Sequence, residues 1–176
     1  MIKTILTALL ISVCIIAARG QDNTKTKTDA SDTLKPYQKY PTLPAFNILQ
    51  MDSVAIFNTY NIPEGKPTAI MLFSPDCQHC KRTIKALEAG MDSIKNIQFY
   101  LVTEAHDMAD IREFYKEHHL AGYKNIQMVG RDYEFFFLSF YGVKFVPDIA
   151  LYDEHKKLVT LIEGETTASK IYNYIH

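Results

Sequence analysis

A continuous apolar run leads directly into a pair of cysteines, and this junction constrains the fold of the chain more than any other feature. The run, TAIMLF at residues 68–73, has the length of a β-strand and the composition of a strand buried on both faces. Cys77 and Cys80 follow within the stretch FSPDCQHCKR, and apolar residues then recur at helical spacing: Ile84, Leu87, Met91 and Ile94. The pattern predicts a buried strand followed by an amphipathic helix that begins near Cys77.

The remainder of the chain alternates between predicted strands and helices. The segments are a short strand in FNILQMDS (46–53), a strand IQFYLVT (97–103), a helix HDMADIREFYKEHH (106–119), a short strand NIQMV (125–129), an aromatic helix YEFFFLSFY (133–141), a hairpin of PDIALY (147–152) and KLVTLIE (157–163), and a final helix through Ile175. The order β-α-β, a helix-rich connection and then β-β-α predicts an α/β fold around a central mixed sheet, with a short N-terminal strand extension.

Capping residues mark the ends of the predicted helices. Asp107, Asp132 and either Thr166 or Thr167 precede helices whose first N–H groups they can bind. Gly142 follows the aromatic helix, where a left-handed residue commonly ends a helix. Within that helix, we expect the core-facing residues at helical spacing to be Phe135, Leu138 and Phe140.

The N-terminus has the pattern of an export signal. A positively charged start precedes an apolar run at residues 5–18, and small residues then form a cleavage site ahead of residue 21. Residues 1–20 are therefore predicted to be a signal peptide, 21–44 a polar flexible tether, and 45–176 the folded domain. The protein is expected to be exported, with an uncleaved N-terminal segment that tethers it to the membrane as the alternative. A net charge of −1 does not favour nucleic acid as a partner.

Export leaves two cysteines in the mature chain, because Cys14 is removed with the signal peptide. A bridge between Cys77 and Cys80 closes a very small loop and would stabilise the fold little. A structural zinc site needs four ligands, and the other candidate ligands are scattered: His106, His118, His119, His155 and His176. A peroxiredoxin-type peroxidase is disfavoured because Ile70 stands where that class has proline, although Ser74 fits. The pair is therefore interpreted as a redox centre without metal or cofactor.

The helix start assigns different roles to the two cysteines. Unpaired N–H groups and a partial positive charge at a helix N-terminus stabilise a thiolate, so Cys77 is the expected nucleophile. Cys80 lies one turn further along and is the expected resolving thiol. His79 is predicted to stabilise the Cys77 thiolate, and Asp76 is predicted to oppose it as a modulating like charge.

A proline far along the chain is predicted to complete the site. Val146-Pro147 stands at the start of a strand that runs antiparallel to the first buried strand, which brings this end of it beside the Cys77 helix. We expect the backbone groups of Val146 to be free to bind an incoming peptide. Val146 and Pro147 are therefore the candidate substrate-binding residues.

These motifs together resemble a thioredoxin-fold thiol–disulfide oxidoreductase, and the exported, tethered form is most similar to the periplasmic TlpA/ResA-like group. The resemblance covers about Phe46 to the C-terminus. It implies a cis Val146-Pro147 bond, protein thiols or disulfides as substrates, and a membrane or periplasmic thiol reductant as partner. The chain departs from the family where Pro75-Asp76 replaces a usual tryptophan, and where Met71 replaces the buried acid of thioredoxins proper.

The sequence thus favours a reductase or isomerase of intermediate redox potential, acting through a reversible Cys77–Cys80 disulfide. A DsbA-like disulfide oxidase is the main alternative, because the CQHC sequence resembles that branch. The segment before the third core strand is short for the helical insertion of DsbA. A metal-binding module and a non-catalytic interaction module on the same fold are further alternatives.

Overall fold

A seven-stranded mixed sheet forms the centre of the protein, whose computed structural model describes residues 34–176. The strands are β1 (Asn47–Gln50), β2 (Ile56–Asn58), β3 (Thr68–Leu72), β4 (Gln98–Thr103), β5 (Ile126–Arg131), β6 (Asp148–Tyr152) and β7 (Leu158–Glu163). Their order across the sheet is β2-β1-β5-β4-β3-β6-β7. β3, β4 and β5 are parallel, whereas β6 is antiparallel to both β3 and β7. The predicted parallel βαβ half and the antiparallel final pair are both confirmed.

Helices cover both faces of this sheet. Within residues 34–176 they are α1 (Pro36–Lys39), α2 (Gln78–Glu88), α3 (Met108–Glu117), α4 (Phe136–Tyr141) and α5 (Ala168–Ile175). α2, α3 and α5 share one hydrophobic core, and α4 with α1 covers the other face. All five residues of β3 are buried, because Met71 faces the first core while Ile70 and Leu72 face the second.

The predicted helix after the cysteines is shorter than its apolar repeat suggests. α2 ends at Glu88, and Met91–Ile94 forms a separate 3₁₀ turn that packs into the same core. Gly90 lies between the two, where an added Cβ would come within 2.6 Å of the Cβ of Ala168. The chain therefore bends at this glycine so that α5 can approach closely, and the apolar spacing continues because both segments face one core.

The aromatic helix differs from its prediction in both length and phase. It begins at Phe136, after Phe135 adopts a left-handed conformation with φ of 56°. Its buried residues are Phe137 and Tyr141; the assignment of Phe135 and Leu138 to the core is wrong, because both are exposed, whereas Phe140 is half-buried and packs against the core. Consecutive aromatic residues fit several helical phases, and the later start selects the pair four residues apart.

The predicted caps of this helix are confirmed. The Asp132 carboxylate accepts the N–H of Phe137 at 2.7 Å, and Gly142 ends the helix in the left-handed conformation. Asp107 and Thr167 are the N-cap residues of α3 and α5; Thr167 accepts the N–H of Lys170, whereas the Asp107 side chain makes no capping hydrogen bond.

The segment before β1 is part of the folded domain. The predicted signal peptide and residues 21–33 of the predicted tether lie outside the described residues. The rest of that tether, 34–44, packs on the domain: Leu43 is buried, and the ring of Tyr37 lies 6.0 Å from that of Tyr141. The domain therefore begins before residue 45, because two apolar side chains anchor an otherwise polar, proline-rich stretch.

The N-terminal strand extension is a β1–β2 hairpin at the edge of the sheet. Its turn follows β1, as predicted, and Asp52 accepts the N–H groups of Val54 and Ala55. β2 was not predicted, since its three residues, IFN, carry no periodic pattern. The hairpin joins the core strands through pairing of β1 with β5.

A carboxyl group is buried on the α4 side of the sheet. Asp148 is 2% exposed, and its Oδ1 has no hydrogen-bond partner within residues 34–176. Burial, followed by the charge of Glu163, raises the pKa of Asp148 to about 7, whereas Lys35 lowers it. The nearby hydroxyl groups of Tyr141 and Tyr152 bond to each other. This aspartate is therefore more readily protonated in the folded state than in the unfolded chain.

We predict that Asp148→Asn changes the pH dependence of stability. Between about pH 4 and about pH 7 the folded protein holds a proton that the unfolded chain lacks, so its free energy of unfolding falls as pH rises. The asparagine variant should lose this dependence and be more stable than the parent at about pH 8, by roughly 2 to 4 kcal/mol. Urea unfolding across this pH range measures the difference.

Asp92→Asn, an exposed aspartate, serves as the control for this experiment. Its unfolding curve should follow that of the parent at every pH. A constant offset between Asp148→Asn and the parent, independent of pH, would contradict the assigned titration.

Candidate active site

The two cysteines lie where β3 ends and α2 begins. Cys77 is the N-cap of α2 in an extended conformation, and the helix starts at Gln78. Cys77 is half-buried, whereas Cys80, one turn further on, is fully buried among apolar residues. Helix geometry predicts this placement, with one thiol at the surface and the other beneath it. Both are free thiols in this structure.

The two sulfurs have different surroundings. Cys80 Sγ accepts the backbone N–H of Ser74 at 3.4 Å, while the Cys77 thiol points to the carbonyl oxygen of Val146 at 3.7 Å. The pKa of Cys80 is raised to about 12. Burial is the main cause, the neighbouring Cys77 adds a smaller rise, and the hydrogen bond from the Ser74 N–H opposes both. The buried thiol is therefore a poor nucleophile at neutral pH, and the accessible Cys77 is the better candidate.

The distant proline lies beside the cysteines, at the start of β6. The Val146-Pro147 bond is cis, as the family resemblance implies. Pro147 is buried, and its carbonyl accepts the N–H of Gly164 at 2.8 Å. The Val146 carbonyl is not free as expected, because it already accepts the Cys77 thiol. A substrate that reaches this carbonyl must displace that contact.

His79 does not contact the Cys77 sulfur as the sequence suggests. Its Nδ1 lies 2.5 Å from Glu165 Oε1 and 2.8 Å from Arg82 Nη2. Arg82 in turn donates from Nε and Nη2 to the same carboxylate. Arg82, followed by His79, lowers the pKa of Glu165 to about 2. The imidazole is thus held by a carboxylate from the loop between β7 and α5.

Sequence reasoning missed Arg82 and Glu165. Arg82 is three residues after His79 on a predicted helix, so a side-chain contact between them could have been anticipated. Glu165 could not, since it is 86 residues from His79 and no local pattern marks it.

Asp76 faces the opposite side of the cysteine loop from His79. Its carboxylate accepts the hydroxyl of Ser74, and His106 Nε2 lies 3.5 Å from it and 2.9 Å from Ser74 Oγ. The Ser74 hydroxyl lowers the pKa of Asp76, and the charge of Asp76 in turn contributes to the raised pKa of Cys80. The negative charge of Asp76 therefore disfavours the Cys80 thiolate, while its hydrogen bonds keep it at the surface.

A groove of about 610 Å³ opens beside the cysteine loop and the Val146-Pro147 segment. Its apolar lining includes Leu138, Val143, Phe145 and Val146. Its polar lining residues are Ser74, His79, Thr103, Glu104, His106 and Lys144. Phe145 is 79% exposed at the edge of this groove, so its ring is accessible to a partner. A larger cavity of about 740 Å³ lies elsewhere, away from the cysteines, and none of its lining residues belongs to this site.

The side chains that the structure describes around the cysteines do not form a metal-binding cluster. Residues 34–176 contain no group of three or more His, Cys, Asp or Glu side chains placed to hold one metal ion. The two cysteines would supply only half of a structural zinc site.

Comparison with known families gives a match between residues 60–176 and the thioredoxin-like domain. The comparison with curated proteins gives no match. The predicted fold class is confirmed: a thioredoxin fold, β-α-β then β-β-α, with a short N-terminal strand extension.

Solved structures with the same fold are covered over nearly their whole length by this chain. One is a secreted disulfide oxidoreductase of Mycobacterium tuberculosis homologous to E. coli DsbE, with 15% identity, a TM-score of 0.60, and coverage of 73% of this chain and 92% of that one. StoA from Bacillus subtilis has 14% identity, a TM-score of 0.58, and coverage of 76% and 98%. The thioredoxin domain of a thiol-disulfide oxidoreductase from Bacteroides vulgatus has 18% identity, a TM-score of 0.58, and coverage of 75% of this chain and 91% of that one. At these identities the likeness shows the fold.

We predict that alkylation distinguishes the two thiols. At neutral pH, iodoacetamide should label Cys77 in the fully reduced protein and leave Cys80 unmodified, because Cys80 is buried with a pKa of about 12. Peptide mapping by mass spectrometry after limited labelling measures this.

Cys77→Ser should slow labelling by at least about tenfold, whereas Cys80→Ser should leave the labelling of Cys77 in place. Earlier modification of Cys80 in the folded parent protein would reverse the assigned roles.

Proposed function

The chain belongs to the thioredoxin-like domain family, and from that membership we propose that it is an exported thiol–disulfide oxidoreductase acting on protein substrates. One observation carries the proposal. A half-exposed thiol at a helix N-terminus stands above a fully buried thiol and faces the carbonyl of Val146, directly before Pro147. This arrangement suits attack by one cysteine and resolution by the other.

The reaction begins at Cys77. Its thiolate attacks one sulfur of a substrate disulfide, which forms a mixed disulfide and releases the other substrate sulfur as a thiolate. Cys80 then loses its proton and attacks the Cys77 sulfur, which forms the Cys77–Cys80 disulfide and releases the second substrate sulfur. The Cys80 proton goes to a released substrate thiolate, a stronger base at neutral pH than surrounding carboxylates. The substrate gains two electrons, and the enzyme loses them.

The groove gives the substrate its place. An extended segment around the substrate cysteine can lie along Val146 and Pro147, while its apolar side chains contact Phe145 and Leu138. Val146 is the first backbone group that such a segment meets, because its carbonyl already faces the attacking sulfur.

Net reduction or isomerisation at an intermediate potential fits the site better than oxidation. A strongly oxidising pair requires a thiolate that is stabilised far more than the disulfide. Here the His79 imidazole is engaged by Glu165, so it is not available as a dedicated partner of the Cys77 thiolate. A reductase must itself be reduced again, which calls for a membrane or periplasmic thiol reductant.

Export is part of the proposal and rests on the sequence of residues 1–20, which lie outside the described residues. A structural neighbour described as secreted supports it. In the part of the chain that the structure describes, no helix combines the length and apolar character needed to cross a membrane.

A DsbA-like oxidase remains the second candidate, because of the CQHC sequence. Between β4 and β6 the chain has α3, a 3₁₀ turn, the strand β5 and the six-residue helix α4, which is short for the helical insertion of DsbA. The direction of net electron flow separates the two candidates, and equilibration with glutathione measures it.

Insulin reduction in the presence of dithiothreitol tests the proposed function. The parent protein should accelerate it, Cys77→Ser should be inactive, and Cys80→Ser should accumulate mixed disulfides with protein substrates. A parent protein no faster than Cys77→Ser would overturn the proposal and favour a non-catalytic interaction module.

We predict that Phe145→Ala weakens catalysis on proteins while leaving chemistry at the cysteines intact. Loss of an apolar contact in the groove should lower kcat/KM for a protein disulfide by about 3- to 10-fold, consistent with roughly 1 kcal/mol of lost binding. Turnover of a small aromatic disulfide such as dithiobis-nitrobenzoate should change much less.

Tyr60→Ala provides a matched control, because Tyr60 is a 78% exposed aromatic residue outside the groove. It should leave both activities unchanged. Equal losses on protein and small disulfide for Phe145→Ala would show that the residue does not bind the protein substrate.

A further inference from the structure

Three charged or titratable side chains form a cluster on the surface beside Cys77. His79 and Arg82 come from α2, and Glu165 comes from the loop that joins β7 to α5. We propose that Glu165 is a positioning residue that keeps the Cys77–Cys80 pair reducing, by drawing the Arg82 guanidinium and the His79 imidazole away from the Cys77 thiolate. The inference rests on the proposed function and concerns how the same site is tuned.

The contacts converge on one carboxylate. Glu165 Oε1 lies 2.5 Å from His79 Nδ1, 2.5 Å from Arg82 Nη2 and 3.0 Å from Arg82 Nε, and Oε2 accepts Arg82 Nε at 3.1 Å. Arg82 Nη2 also lies 2.8 Å from His79 Nδ1. Because Glu165 Oε1 is an acceptor only, His79 can donate to it when Nδ1 carries the proton; the approach of Arg82 Nη2 to the same Nδ1 is then a contact between two donors that the shared carboxylate holds together.

The backbone holds Glu165 at this point. The preceding residue, Gly164, has φ of 78°, which favours glycine, and its N–H bonds to the carbonyl of Pro147 at 2.8 Å. Two residues after Glu165, Thr167 caps α5 by accepting the N–H of Lys170. The loop is thus fixed on one side to the proline segment and on the other to a helix, so Glu165 is presented to α2.

Both side chains come from the first turns of the helix that begins at the nucleophile. Cys77 is the N-cap of α2, and His79 is the second residue of the helix. Glu165, first, and the charge of Cys77 as a smaller contribution, raise the pKa of Arg82. The other charged group of the cysteine loop, Asp76, faces Ser74 and His106 instead.

The sign of the effect follows from the charges. A thiolate is charged and a disulfide is not, so a nearby cation stabilises the reduced state and makes the pair more oxidising. Glu165 neutralises Arg82, engages the His79 imidazole and adds a negative charge, so it favours the disulfide over the thiolate. The sequence-based expectation that His79 makes the pair more oxidising therefore applies only without Glu165.

Glu165→Gln tests this assignment. Glutamine keeps the shape and can still accept a hydrogen bond, but it removes the charge. The equilibrium with a glutathione buffer should shift toward the reduced pair by about 3- to 10-fold, where tenfold corresponds to about 30 mV for this two-electron couple. Alkylation of Cys77 at about pH 6.5 should be faster in this variant than in the parent, because the thiolate is more stable without the carboxylate. Both shifts should shrink at about 1 M salt, because the groups are at the surface.

Glu154→Gln is the matched control. Glu154 is an exposed glutamate whose Oε1 lies 3.7 Å from His155 Nε2 in the β6–β7 turn, so its removal breaks another His–Glu pair away from the cysteines. Its potential should equal that of the parent. A second test introduces Glu165→Gln into a His79→Gln, Arg82→Gln background, where the shift in potential should be clearly smaller than in the parent, because only the direct effect of the carboxylate charge remains.

An unchanged or lower potential in Glu165→Gln overturns the proposal. A shift of full size in the His79→Gln, Arg82→Gln background also overturns it. A merely structural role for Glu165 would lower thermal stability without moving the potential. These outcomes are separate from failure of the proposed function, which appears as inactivity of the parent protein in insulin reduction.

Discussion

The burial of β3 on both faces is the constraint on which the site depends. Its register against β4 and β6 fixes where the strand ends: Leu72 pairs with Val102 on one side and with Asp148 on the other. The cysteine loop must therefore leave the sheet beside the residues that precede Asp148, which are Val146 and Pro147. Two segments that are 69 residues apart meet because one strand lies in the middle of the sheet between two layers of helices.

The same burial separates the chemistry of the two thiols. Cys80 is part of the core that α2 shares with α3 and α5, and that core consists of apolar residues such as Met71 and Phe73. Removing a thiol from water disfavours its charged form, and a single backbone N–H from Ser74 offsets this only in part. Cys77, at the helix start, is half-exposed. A difference in depth of one helical turn thus separates an accessible thiol from a buried one, which is the basis for the roles proposed for them.

Local pattern was sufficient for the elements that carry the cysteines and the proline, because each has a strong signature of its own. The apolar run of β3, the CxxC spacing and the proline ahead of β6 could all be read directly. Sequence patterns did not predict the features that depend on tertiary contacts. The phase of α4 depends on where Phe135 ends the preceding turn, and the break after α2 depends on the approach of Ala168 to Gly90. Glu165 was invisible because an exposed carboxylate in a loop has no periodicity, and its importance comes only from the side chains that it meets.

The fold also constrains how Cys80 can lose its proton. Thioredoxins proper have an acid where this chain has Met71, and the buried carboxyl that the chain does have, Asp148, lies on the other face of the sheet with Leu72. A sheet separates the two, so Asp148 cannot accept the Cys80 proton directly. A thiol with a pKa of about 12 is ionised to only about one part in 10⁵ at neutral pH, so the mixed disulfide waits for a base that the reaction itself supplies. The released substrate thiolate is such a base while it stays in the groove. In the proposed mechanism, slow resolution of this kind would give a bound substrate time to attack the mixed disulfide with another of its own cysteines, which is the step that an isomerase needs and a fast reductase avoids.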